Sequence, residues 1–82
     1  MAKKGALYPD FRKLKRTGWQ PRGKDTFARG FDVVKIVPVN TELWYITRTT
    51  YMGAKAGEDE IFHSYDDARR RLTEVVMATG DL

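Results

Sequence analysis

Near the carboxy end of the chain, Tyr65, Ala68, Leu72, Val75, Val76 and Thr79 stand at offsets 0, 3, 7, 10, 11 and 14, one stripe at the helical period. A helix with a single apolar stripe must lay it on something, so the rest of the chain has to supply a matching face. The spacing predicts a helix over Tyr65 to Thr79, with Arg70, Arg71 and Glu74 on its outer side. Ser64 and Asp67 have the spacing of a capping pair, and Gly80 supplies a stop.

The matching face is offered upstream. Phe31 to Val39 and Leu43 to Met52 are rich in β-branched and aromatic residues, and Asn40-Thr41-Glu42 forms a short polar gap between them. A hairpin in which Val39 faces Leu43 sets Ile36 opposite Ile46, Val34 opposite Arg48 and Pro38 near Trp44. That face would bury Val34, Ile36, Trp44 and Ile46 against Leu72 and Val76. The other face, with Lys35, Val37, Tyr45, Thr47 and Tyr51, would be partly wet. Pro38 lacks a ladder donor, which puts the end of the first strand at an edge or a bulge. Glu60 to His63 is expected as a short third strand after a loop over Gly53 to Asp59.

The fold class is therefore α+β, a small antiparallel sheet packed on one carboxy-terminal helix, and 82 residues leave room for one core only. Residues 31–82 carry that core. Residues 1–30 read as a basic arm: Pro9-Asp10-Phe11 to Arg16 as a short helix with Leu7, Phe11 and Leu14 on one side, Gly18 ending it, then a loop over Trp19 to Gly30.

Charge divides the chain in the same place. Residues 1–30 hold nine bases and two acids, +7, whereas residues 31–82 hold six bases and nine acids, −3. A basic segment on a mildly acidic body concentrates near phosphates, or docks on an acidic protein surface, unless its own carboxylates neutralise it. Arg69, Arg70 and Arg71 span about 200° of helix and cannot share one partner, so they are read as a solvated face with Glu74 in reach.

Several chemistries lack their residues. The chain has no cysteine, which removes disulfides and thiolate sites and makes a reducing, cytoplasmic setting the simplest expectation. Behind Lys3-Lys4 there is no apolar stretch of the kind a secretory signal needs, and no run is long enough to span a membrane. His63 is the sole histidine; Ser64 beside it is better used as a cap than as a nucleophile, so no catalytic residue is assigned. Glu58, Asp59, Glu60, Asp66 and Asp67 match no calcium-loop spacing, and Gly53-Ala54-Lys55-Ala56-Gly57 lacks the phosphate-loop pattern. No metal, cofactor or small-molecule substrate is therefore expected.

From Phe31 to Thr79, strands are followed by a helix in which Phe62, Ser64, Ala68 and Leu72 are set out as F-x-S-x-x-x-A-x-x-x-L. This resembles the pattern of small DNA-binding domains built from three strands and a helix, including the amino-terminal domains of some phage integrases. The resemblance covers about half the chain and implies the fold and a DNA partner, with none of the family's base-reading residues carried over.

Non-catalytic binding is the resulting expectation. A nucleic-acid-binding accessory or regulatory protein would place Arg12, Lys13, Lys15, Arg16, Arg22 and Lys24 on phosphates, with Lys35, Arg48, Tyr45, Tyr51 and Trp19 adding contacts and stacking. The alternatives are a phage- or plasmid-type effector that inhibits a host protein through its hairpin face, and a structural subunit that pairs strand edges in a homodimer.

Overall fold

The computed structural model describes residues 6–78. Helix α1 (Phe11–Thr17) leads into a five-stranded antiparallel sheet, β1 (Gln20–Gly23), β2 (Thr26–Arg29), β3 (Asp32–Asn40), β4 (Leu43–Thr49) and β5 (Glu60–Phe62). A 3-10 turn (Tyr51–Gly53) follows β4, and helix α2 (Tyr65–Ala78) closes the described chain. The strands lie in sequence order, so each pairs with its chain neighbour.

The central hairpin has the register that its side-chain alternation dictates, with Ile36 opposite Ile46, Val34 opposite Arg48 and Pro38 opposite Trp44. One detail differs. Leu43 faces Asn40 and not Val39, because a register shift follows Pro38. Strand β2 pairs with β3 only over Asp32–Lys35, so Pro38 lies beyond its reach and no ladder is broken by the missing amide hydrogen. The bulge at the strand's end and the short strand at Glu60–Phe62 both agree with the sequence reading.

Residues 20–29 correct it. In place of a loop they form β1 and β2, whose Phe27 and Ala28 are buried and whose register continues the sheet outward. Two four-residue strands bounded by glycines look like punctuation in a sequence, and only the pairing with β3 makes Thr26–Arg29 extended. The turn into β3 uses Gly30 at φ 62°, a left-handed conformation in which a Cβ would be strained.

Both helices lie on one side of this sheet. Leu14 from α1 and Ala68, Leu72, Val75 and Val76 from α2 enter a single core with Phe27, Val34, Ile36 and Ile46. The stripe that predicts α2 is thus its buried face, apart from Thr79, which is outside the described residues, as is Gly80. Ser64 caps the helix, its Oγ accepting from the Asp67 amide at 3.3 Å. Helix α1 is capped by Asp10, whose Oδ1 accepts from the Arg12 amide at 2.9 Å. It ends at Gly18, where φ is 84° and a Cβ would meet the Arg29 side chain at 3.2 Å. Of the residues expected on the inner side of α1, Leu14 is buried, but Phe11 is 62% exposed. Phe11 opens the helix, and by the 100° step it lies about 90° from the centre of the arc that Leu14 and Thr17 bury.

Leu72 is fully buried at the centre of the core. Leu72→Asp is expected to abolish the cooperative thermal transition followed by circular dichroism, because an unpaired carboxylate would be desolvated there. Leu72→Ala should cost about 2–5 kcal/mol and still melt cooperatively.

Candidate functional site

Helix α1 turns its basic residues outward by simple geometry. At 100° per residue, burying Leu14 and Thr17 leaves Arg12, Lys15 and Arg16 on an arc of about 100° on the opposite side, with Lys13 on the flank. All four are exposed, as are Arg22 and Lys24 at the β1–β2 turn. Among the described residues, none of these six makes an ion pair or a side-chain hydrogen bond.

The acidic residues explain why. Asp10 caps α1. Asp25 binds Arg69, Asp32 lies 3.9 Å from Arg29, Asp59 holds Lys55, Glu60 and Glu74 both take Arg71, and Asp67 takes Arg70. Most of these carboxylates are engaged with Arg29, Lys55 and the arginines of α2, and among the described residues none pairs with the bases of α1 or with Arg22 and Lys24.

Arg69 departs from the expected solvated run. It is 5% exposed, and its guanidinium donates to the Leu7 carbonyl at 3.0 Å and to Asp25 Oδ1 at 3.3 Å. Its charged carbon lies 4.6 Å from the Tyr8 ring centre and 5.5 Å from that of Phe27. Thr73 reinforces the join by donating its hydroxyl to the same Leu7 carbonyl at 2.8 Å. Tyr65 donates its phenol to Asp25 Oδ1 at 2.6 Å. Burial, and then the Asp25 carboxylate, push the Tyr65 phenol from 10 up to about 12.

Beside this network is a concavity of about 380 Å³, lined by Lys24, Asp25, Ile36, Pro38, Trp44 and Tyr65. Trp44 and Tyr65 meet edge to face with ring centres 6.3 Å apart. It opens on the helix side, where the inward residues of β3 and β4 run out toward their turn. A second, smaller groove of about 290 Å³ runs between α1 and β1, past Phe11, Trp19 and Pro21.

The remaining sequence candidates are dispersed. Trp19 is a correction: at 4% exposure it is a core residue beneath Arg29, whose guanidinium lies 4.7 Å from its ring centre, and it presents no stacking surface. Tyr51 lies in the 3-10 turn and packs edge-on against Phe31 at 4.8 Å, so it is not part of the sheet face. Lys35 and Tyr45 do occupy the helix-free face, Tyr45 half-buried between Val37 and Ile61. Tyr45 and the end of β4 that leads to Tyr51 are about 13 Å apart along the strand, so the two rings do not make one platform. The basic arm does not cover them either, since α1 is on the other side. Arg48 is on the helix-side face opposite Val34, half-buried.

Part of the helix-free face is closed by Lys55, which donates to Thr47 at 3.1 Å and to Asp59 at 2.6 Å. The Lys55 ammonium, and then the Thr47 hydroxyl, hold the Asp59 carboxyl below the usual carboxylate range. His63 is exposed, and Ser64 beside it is occupied as the cap of α2. Among the described residues no three acidic or histidine side chains gather in a metal-binding group, and no helix is long and apolar enough to cross a membrane.

Sequence reasoning missed Asp25, Arg69 and the Trp44–Tyr65 concavity. Nothing in a linear pattern pairs position 25 with position 69, and the arginine run disguises its one buried member. No protein-family model matches the chain, and no match is found among curated proteins or solved structures.

Two outcomes follow from the network. Asp25→Ala should lower stability by about 3 kcal/mol, read from the denaturant midpoint, because it leaves Arg69 charged and buried. The raised Tyr65 phenol contributes stability that is present in full below pH 10 and is lost as pH rises through about 12. Wild-type stability should therefore decline across that window. Tyr65→Phe should flatten the decline.

Proposed function

We propose that this chain is a non-catalytic, nucleic-acid-binding accessory or regulatory protein whose phosphate-contacting surface is α1 with the β1–β2 turn. The observation that carries the reading is the set of exposed bases Arg12, Lys13, Lys15, Arg16, Arg22 and Lys24, which have no partner among the described residues. The carboxylates that do form ion pairs, among them Asp25, Glu60 and Glu74, form them with other bases. A surface of this kind meets phosphates by releasing condensed counterions, which gives affinity without any demand for base contacts. The likeness of the Phe62-to-Leu72 spacing to small DNA-binding domains points the same way. Nothing in the proposed role requires a cofactor, a membrane or a small-molecule substrate.

A second reading has its own support. Phe31, Tyr51 and Met52 form an apolar knob at one end of the sheet, with Met52 85% exposed and held at φ 63°, a left-handed conformation costly for a residue with a side chain. Such a knob suits an effector that anchors on a host protein. Pull-down after nuclease treatment separates the two readings, since a stoichiometric protein partner that survives nuclease favours the effector.

For the favoured reading, the logarithm of the association constant for a short duplex should fall with the logarithm of salt concentration at a slope of about −3.5 to −5.5, as expected for four to six phosphate contacts. Arg16→Ala should reduce the magnitude of that slope by about 1 and leave thermal stability unchanged. A slope near zero, or no binding at low salt, would remove the assignment.

A further inference from the structure

The concavity at the mouth of β3 and β4 combines three things that one class of ligand needs together. Its walls are flat and apolar, from Trp44, Tyr65 and Pro38. At its rim stands Lys24, an ammonium with no partner among the described residues. Asp25 also lines it, and among the described residues both of its side-chain hydrogen bonds fall on Oδ1, which leaves Oδ2 as an acceptor. Arg69 offsets the carboxylate's charge, so the rim as a whole is not anionic.

We infer that this concavity seats an unstacked base of single-stranded nucleic acid, with the base against Trp44 and Pro38 and its adjoining phosphate on Lys24. The inference rests on the nucleic-acid reading and makes it more specific. A hydrocarbon side chain from a protein would fill the apolar walls but leave both the ammonium and the carboxylate oxygen without a partner. A nucleotide answers both, with a phosphate for the cation and ring or exocyclic N–H groups for the acceptor. Duplex bases are stacked and paired, so they cannot enter. At about 380 Å³ the space accommodates one base and its sugar and little more.

Position supports the same occupant. Tyr8, just ahead of α1, covers Arg69, and Arg69 binds Asp25 in the concavity wall. Two contacts therefore join the base seat to the segment just ahead of the basic helix.

The test compares labelled oligodeoxycytidylate of about 12 nucleotides, a length within the usual single-strand site sizes, with a duplex of equal length at low salt by fluorescence anisotropy. The wild-type protein should favour the single strand, and binding should quench tryptophan emission through Trp44, because Trp19 is enclosed. Trp44→Ala should lose about tenfold in single-strand affinity, within the range that stacking contributes, while its duplex affinity stays within about twofold. Trp44 also packs against the core, so Lys24→Glu supplies an independent arm. It should leave the melting temperature unchanged and reduce single-strand affinity more than duplex affinity. Single-strand binding that both variants leave untouched would overturn the base seat and leave the cationic surface standing. A wild-type protein that binds neither oligonucleotide would instead overturn the nucleic-acid reading from which the seat descends.

Discussion

A guanidinium taken out of water is among the most demanding groups a small domain can enclose, and the arrangement around Arg69 is shaped by that demand. The group carries five donors and a flat charged face. Asp25 supplies the opposite charge, the Leu7 carbonyl takes the Nε hydrogen, and the rings of Tyr8 and Phe27 cover the plane. These four partners come from three parts of the chain: Leu7 and Tyr8 from the segment before α1, Phe27 from strand β2, and Asp25 from the turn that joins β1 to β2. Satisfying one side chain therefore fixes where three segments meet, and it does so beside the concavity that Asp25 and Tyr65 help to wall.

The same arrangement decides what the surface carries. Arg69, Arg70 and Arg71 all find carboxylates, Asp25, Asp67 and Glu60, so these acids are spent on α2 and not on the bases of α1. The bases of α1 and of the β1–β2 turn remain exposed by subtraction. Exposed ion pairs such as Arg70 with Asp67 add little to stability, roughly 0 to 1 kcal/mol, but they matter here for where positive potential is left over.

Features that depend on a period or on near neighbours were legible in the sequence. The stripe from Tyr65 to Val76, the Ser64 cap and the Ile36–Ile46 register each need only a few adjacent residues to be read, and the structure has all three. Strands β1 and β2 were not, because residues 20–29 have weak local preference and become extended only by pairing with β3. Trp19 looked available because aromatic content says nothing about depth, and a folded Arg29 roofs it over. The candidate site divides along the same line. Its cations could be named from charge density, whereas the concavity joins positions 24, 38, 44 and 65, which no linear spacing connects.

The sequential order of the five strands bears on how the chain comes together. Every strand pairing closes a loop of modest length, and the entropy of closure grows only slowly with that length, so the meander can zip outward from the β3–β4 hairpin. The join of Leu7 to Arg69 and Thr73 spans more than sixty residues and has no such neighbour to build on. It exists only when the segment ahead of α1 and helix α2 are both in place, so the seating of the basic helix depends on contacts from both ends of the chain.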